Sequence, residues 1–221
     1  MADQPFELAP AGAECEVKDL DQFWTPPWPT LALLENLGEL GPKPTDTILE
    51  PCAGANGITS VLRSKGLLVN TGDIDPEMVE RYGHHYTWDY ASPPKSGGWD
   101  WGITNPPFNQ GTAIVRRLLA ECTRVAVLLR CTWGEPCLEE REPWEGRASL
   151  FDLDPPSRMI WIPRPTFGLP SGSFKGSTDS ATCCWFIWGT PSNGGTETFW
   201  VHPRDVWRHV GQLALDLMEV P

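Results

Sequence analysis

The sequence predicts an α/β protein: a mostly parallel sheet of seven strands, helices on both faces, and a C-terminal antiparallel hairpin made by strands six and seven. Three observations carry this prediction. Short apolar runs alternate with stretches of helical period between residues 47 and 131, the pattern of successive strand and helix layers. The first run, Thr47-Ile48-Leu49, feeds a loop of small residues from Pro51 to Gly57, followed by a helical start at Ile58-Thr59-Ser60-Val61-Leu62. Strand, small-residue loop and helix form the first unit of a sheet that binds ligands at the carboxyl ends of its strands. Finally, Arg124-Val125-Ala126-Val127-Leu128-Leu129-Arg130-Cys131 is almost continuously apolar, as a parallel strand covered on both faces should be.

The elements follow in order. Residues 1–21, rich in Ala, Pro and Glu without a period, predict a mobile tail, and residues 22–221 a single domain. Leu31 to Leu37 reads as a short amphipathic helix, started by Thr30 or the preceding Pro. Gly66 to Gly72 is the second strand. Pro76 to Gly83 is a helix, with Asp75 fitting as its cap and Pro76 in its first turn. A third strand ends near Asp89-Tyr90. The fourth runs from Trp99 to Thr104 and delivers Asn105-Pro106-Pro107-Phe108 at its carboxyl end. A helix covers Thr112 to Ala120, and the fifth strand is the apolar run already described. Residues 132–156 are an insertion rich in Trp, Glu, Arg and Pro. Arg158 to Pro163 and Ser180 to Trp188 are the sixth and seventh strands, joined by a Gly/Ser/Pro-rich loop over 164–178. Residues 203–218 suggest a terminal amphipathic helix.

Composition narrows the function. The seven cysteines are odd in number and show no Cys-x-x-Cys spacing, and the four histidines complete no zinc pattern, so reduced thiols and no metal are expected. No apolar run is long enough to span a bilayer, and the N-terminal residues lack the basic-then-apolar pattern of a secretory signal; a soluble, cytoplasmic protein without membrane contact is expected. The net charge is −12, an unfavourable balance for long-range attraction to a polyanion. Residues 1–94 hold 5 Lys+Arg against 15 Asp+Glu, whereas 95–221 hold 12 against 14. A nucleic acid must therefore meet the second half, where Arg116, Arg117, Arg130, Arg141, Arg147, Arg158, Arg164 and Lys175 lie. Of the 12 tryptophans, most belong in the core and some could stack on bases.

Several residues are candidates for chemistry. The two prolines after Asn105 fix φ and remove donors, so the asparagine side chain and nearby carbonyls point in set directions. Such a corner can grip a flat group through acceptors, although a plain turn after a strand explains the same residues. Gly54 and Gly57 let a ligand approach the backbone closely. The loop lacks G-x-G-x-x-G, which disfavours a nicotinamide cofactor, and lacks Gly-Lys-Ser/Thr for phosphates. Glu50 beside it suits a ligand carrying positive charge or an amine. Asp73, roughly 20 residues past the loop at the tip of the second strand, is the first choice to hold a ribose diol, with Asp75 second. Asp89 could accept from an adenine amino group or lie in solvent. The His84-His85 pair reads as surface.

Taken together, Trp24-Thr25-Pro26, Glu50-Pro51-Cys52-Ala53-Gly54, Asp73-Ile74-Asp75 and Asn105-Pro106-Pro107-Phe108 give the chain a resemblance over about residues 22–131. It resembles Rossmann-like (class I) S-adenosylmethionine-dependent methyltransferases, and more narrowly the adenine-N6 DNA methyltransferases of phages and restriction systems. The resemblance implies S-adenosylmethionine as cofactor: Thr25 and Pro26 line its methionine end, Glu50 through Gly54 (Pro51 and Ala53 included) wrap its amino-acid moiety, Asp73 meets its ribose and Asp89 its adenine, with Trp24 and Ile74 also among the cofactor-binding residues. It implies that Asn105, Pro106, Pro107 and Phe108 are catalytic and that DNA is the partner. Ala55-Asn56 stand where Gly is often seen, and no separate DNA-recognition domain is present, which leaves 132–156 and 164–178 to read sequence. The same tetrapeptide would serve an RNA base amine or a protein glutamine, and a non-catalytic scaffold with a protein partner, or a homodimer, is the reading from another class. A cytosine-C5 enzyme is excluded, because Pro51-Cys52 and Pro136-Cys137 are not at the end of the fourth strand.

The chemistry fits those residues. An exocyclic base amine is a poor nucleophile, since its lone pair is delocalised into the ring. Acceptors on both N–H groups, from the Asn105 side chain and the Pro106 carbonyl, would draw the nitrogen toward tetrahedral geometry. Phe108 could stack on the base, and a base in duplex DNA must leave the stack to reach such a pocket.

Overall fold

The computed structural model describes residues 24–87, 98–134, 156–163, 165, 182–202 and 205. The strands are β1 (Thr47–Glu50), β2 (Leu68–Asp73), β3 (Tyr86–Thr87), β4 (Trp99–Thr104), β5 (Cys122–Arg130), β6 (Arg158–Ile162), β7 (Cys183–Trp188) and β8 (Glu197–Trp200). They form one sheet in the order β3-β2-β1-β4-β5-β7-β6-β8. Pairing is parallel from β3 through β5 and between β6 and β8, while β7 runs antiparallel to both β5 and β6. The fold is therefore the Rossmann-like α/β arrangement, with β1 central and the strand order reversing between β1 and β4. In open α/β sheets that reversal opens a crevice at the carboxyl ends of the strands, where ligands bind.

The helices are α1 (Pro27–Leu37), α2 (Gly57–Ser64), α3 (Pro76–Tyr82) and α4 (Gly111–Glu121). Two apolar clusters hold them to the sheet. Trp28, Leu33 and Leu37 of α1 and Ile58 and Leu62 of α2 pack with Ile48, Ile103, Ala126, Leu128 and Trp185. Ile114, Val115 and Leu118 of α4 pack with Val125, Val127, Leu129, Phe186 and Trp188. The alternation along β5 assigns successive residues to opposite clusters, as the two-residue period of a strand requires. All six residues of β7 are buried, because that strand lies inside the sheet between β5 and β6. Trp185 also donates from Nε1 to the Pro29 carbonyl at 2.9 Å, pinning the first turn of α1 to the sheet.

Several elements depart from the sequence expectation. The fourth strand has the predicted bounds, and strands six and seven pair antiparallel as predicted. Helix α1, however, begins at Pro27 rather than near Thr30. Its prolines sit in the first turn, where helix N–H groups have no intrahelical partner to lose. An eighth strand was not foreseen: Glu197-Thr198-Phe199-Trp200 lines the edge of β6. It is fastened by an ion pair between buried Arg158 and half-buried Glu197, Nη1 to Oε2 at 2.6 Å, with Arg158 Nη2 on the Pro191 carbonyl at 2.8 Å. The Trp161 and Trp200 rings stack at 4.8 Å between centroids. The tail at 1–21, Asp89, most of the 132–156 and 164–178 insertions and nearly all of 203–218 lie outside the described residues. Among the described residues, no helix is long and apolar enough to cross a membrane, and Cys52, Cys122, Cys131, Cys183 and Cys184 are in no disulfide.

Candidate active site

Because β1, β2 and β4 are adjacent and parallel, their carboxyl ends bring residues 51–57, 73–75 and 105–108 to one edge of the sheet. The first of these loops is held by its backbone. Ala53 N–H donates to the Gly72 carbonyl at 2.9 Å, and Gly54 N–H donates to Asp73 Oδ2 at 2.8 Å. Asp73 Oδ1 accepts from Asp75 N–H at 3.0 Å. Burial raises the pKa of the Asp73 carboxyl above its ordinary value, and those two N–H donors oppose the rise. Asp73 thus fixes the glycine loop, while each carboxylate oxygen keeps acceptor capacity for a further donor. Asp75 is the cap of α3, accepting from Glu77 N–H at 2.9 Å.

Glu50, at the end of β1, is 1% exposed and accepts from the Thr59 hydroxyl. Burial pushes its carboxyl up to about 8, against the opposing pull of the Thr59 hydroxyl and backbone N–H. It therefore ties the end of β1 to the first turn of α2. Pro51 and Ala53 are buried; Cys52, Gly54 and Ile74 are half-buried. Asn56 adopts φ 64°, a left-handed conformation that glycine takes freely and asparagine more readily than most residues. That explains how the loop dispenses with a glycine there. The Asn56 amide donates from Nδ2 to the Tyr82 carbonyl at 3.2 Å, and its buried Oδ1 has no hydrogen-bond partner among the described residues.

Thr25 joins this loop to the Asn-Pro-Pro-Phe corner. A Cβ added to Gly57 would lie 2.1 Å from the Thr25 carbonyl oxygen, so only glycine fits there. On its other side, Thr25 Oγ1 accepts from Asn105 Nδ2 at 2.9 Å across 80 residues of sequence. Trp24 packs edge-on to Tyr82 at 6.4 Å between centroids, and Pro26 takes an extended conformation as the cap of α1. The segment 24–26 is thereby placed between the two loops.

The corner itself is tight. Pro106 is buried, Pro107 and Phe108 are half-buried, and Gln110 N–H closes the turn on the Pro107 carbonyl at 3.0 Å. Asn105 Oδ1 is buried and has no hydrogen-bond partner among the described residues. The Arg130 guanidinium, at the end of β5, lies 4.6 Å from the centroid of the Phe108 ring, a cation–π distance. The structure thus brings together Thr25, Gly54, Asp73 and Asn105; Asp89 lies outside the described residues.

Three side chains, His84, Arg158 and Arg117, are engaged otherwise than the sequence suggests. His84 is not at the surface: it is 8% exposed, and its Nε2 lies 2.9 Å from the Gly54 carbonyl oxygen. Its only local signal is Gly83, whose φ of 66° ends α3 and turns the next residue back; the contact itself joins residues 30 apart. Arg158, counted among the cations available to a polyanion, is instead buried in its pair with Glu197. Arg117 is paired with Glu121 at 2.9 Å. Arg130 is exposed and makes no ion pair among the described residues. No group of three or more His, Cys, Asp or Glu side chains among the described residues could hold a metal ion.

No family model and no curated protein matches the chain. Solved structures do resemble it. A Vibrio vulnificus YJ016 protein described as the modification subunit of a type I restriction enzyme aligns over 85% of this chain and 49% of its own, with 13% identity and a TM-score of 0.52. A dimethyladenosine transferase from Plasmodium falciparum aligns over 75% of this chain and 62% of its own, with 14% identity and a TM-score of 0.50. A Pyrococcus horikoshii protein described as an RNA methyltransferase aligns over 77% and 87%, with 14% identity and a TM-score of 0.50. The chain spans about half the length of the first and less than two thirds of the second. At these identities the likeness is one of fold.

Proposed function

We propose that the chain transfers a methyl group from S-adenosylmethionine to the exocyclic amine of a planar base, with adenine N6 in DNA as the leading substrate. One observation carries most weight: the buried Oδ1 of Asn105 has no hydrogen-bond partner among the described residues, while Nδ2 is tied to Thr25. Tethering one end of the amide fixes the direction of the other. A buried acceptor left in this state costs roughly 1–3 kcal/mol, and an N–H donor from substrate would recover that. The fold likeness to a dimethyladenosine transferase and to a restriction-enzyme modification subunit is consistent with such a substrate.

The chain's residues fit the cofactor by chemistry. Asp73 has acceptor capacity for a ribose diol at the tip of β2, and the second orphaned acceptor, Asn56 Oδ1, suits an ammonium donor at the glycine loop. When bound, the cofactor would supply a sulfonium-activated methyl group, its sulfur leaving as a thioether and the methylated amine losing one proton to solvent, so the protein's main task is alignment. Thr25 sets the spacing between the cofactor loop and the corner. Asn105 Oδ1 accepts from the amine and holds it directed for in-line attack, the kind of alignment that lowers a barrier most when the reactants are already close. Phe108 offers a stacking face, and the exposed Arg130 above it offers a cation for an adjacent phosphate. Phe108 and Arg130 together favour a nucleic acid over a protein glutamine.

The test is product identification. The protein is incubated with labelled S-adenosylmethionine and, separately, DNA, RNA and protein, and the products are digested to nucleosides or amino acids. Label in N6-methyl-2′-deoxyadenosine from DNA supports the leading substrate. Label only in an RNA base or in glutamine transfers the mechanism to that substrate, and no label anywhere refutes the proposed activity.

A further inference from the structure

We propose that His84 is a positioning residue that sets the shape of the cofactor loop by hydrogen bonding to the Gly54 carbonyl; as a statement about cofactor affinity it rests on the methyltransferase reading above. A carbonyl oxygen only accepts, so at 2.9 Å the imidazole Nε2 must carry the hydrogen. Gly54 is then gripped at both polar groups of its backbone by side chains. Asp73 takes its N–H at 2.8 Å and His84 takes its C=O at 2.9 Å. No strand ladder satisfies either group; β1 has already ended at Glu50. Backbone carbonyls hold the Ala53 and Asn56 N–H groups, and at Gly54, where φ is 46°, two side chains complete the loop.

The end of α3 is built to supply this contact. Gly83 closes the helix in the left-handed conformation, and the Gly83 and His84 N–H groups both turn back to the Val79 carbonyl. That is a helix C-terminus of the kind that needs a residue free to take positive φ. The clasp is reciprocal. Asn56, two residues past Gly54, donates to the Tyr82 carbonyl at 3.2 Å, while His84, two residues past Tyr82, donates to the Gly54 carbonyl. The aromatic rings continue it: His84 stacks on Tyr82 at 6.2 Å, and Tyr82 meets Trp24 edge-on at 6.4 Å, both within the range of favourable ring pairs. His84 is thereby linked through Tyr82 to the segment that carries Thr25.

Three variants separate a positioning role from a merely structural one. Gln places an amide nitrogen close to the Nε2 position and can still donate; Asn reaches only the Nδ1 position; Ala reaches neither. Two readouts are taken on the full chain: hydrogen exchange of the peptide covering residues 50–58 without ligand, and calorimetric binding of S-adenosylmethionine and its demethylated product. H84Q should keep exchange and affinity within about threefold of the parent. H84N and H84A should exchange faster in that peptide and bind about tenfold more weakly, the loss expected from one hydrogen bond to a half-buried group. Turnover at saturating cofactor should change little in all three. Equal behaviour of Gln, Asn and Ala, or parental exchange in H84A, would overturn the proposal. If the parent binds neither ligand while the exchange pattern holds, the positioning role survives and the cofactor assignment fails.

Discussion

Replacing Gly57 by alanine tests whether Thr25 couples the two halves of the site. The new Cβ would lie 2.1 Å from the Thr25 carbonyl oxygen, and real Cβ atoms essentially never come within 3.0 Å of such an atom. The shortfall is about 0.9 Å; the opposing atom is a backbone carbonyl oxygen and the new Cβ is fixed rigidly to its own backbone, so no flexible side-chain end can absorb it. If Thr25 retreats by that distance away from the loop, its hydroxyl leaves Asn105. The bond is now 2.9 Å, and displacement by most of an ångström takes it beyond hydrogen-bonding range. One lost side-chain bond costs about 1 kcal/mol of stability, and forcing the extra carbon against backbone adds roughly 1–3 kcal/mol. Catalysis suffers as well, because a misplacement of about 1 Å in an aligned site can cost on the order of 10²-fold in rate. G57A should therefore lose roughly 2–4 kcal/mol in denaturant unfolding and, where folded, about a hundredfold in turnover measured with the substrate identified by product analysis. Parental turnover in G57A would refute the coupling.

Other consequences follow from burial and stacking. Glu50 has its pKa raised to about 8 by burial, above the value it has in the unfolded chain. The protonated form is thus favoured in the fold, so this contribution to stability is complete in acid and lost as pH rises through about 8. Between pH 6 and pH 9 the loss should be on the order of 3 kcal/mol; E50Q, which keeps an acceptor for Thr59, should flatten that decline in urea unfolding, and an unchanged slope would contradict the assignment. Phe108→Ala should raise the KM for a nucleic-acid substrate by about 5- to 150-fold, since stacking on one base is worth about 1–3 kcal/mol, while Phe108→Tyr should stay close to the parent; equal KM values in steady-state kinetics would remove the ring from base binding.

Some of this was legible in the sequence and some was not, for physical reasons. The bounds of β4 were readable because Trp99 to Thr104 is a buried strand ending against two prolines that cannot continue a ladder. The capping role of Asp75 was readable because the cap and the proline after it are local signals. The sheet edge was not: β8 has four residues, alternately half-buried and exposed, too short for its alternation to stand out. His84 was hidden because a histidine pair after a helix looks solvated, and only the left-handed turn at Gly83 brings one member back to Gly54. The bond between Thr25 and Asn105 joins residues 80 apart. The resemblance put both residues in one site, but no local pattern gives that distance or shows which end of the amide is left to accept.

The proposed mechanism requires the Asn105 oxygen to accept a hydrogen bond from the amine of the substrate. Its most direct test is single-turnover methyl transfer by N105A and N105D, with S-adenosylmethionine binding to each measured by calorimetry. N105A should bind cofactor within about threefold of the parent and transfer methyl groups slower by about 10²–10³-fold, the scale on which loss of one aligned hydrogen-bonding group is felt. N105D should recover part of that rate, since its carboxylate still accepts and the Thr25 hydroxyl can rotate to donate to it. Transfer by N105A within about tenfold of the parent would show that the orphaned oxygen is not where the chemistry happens.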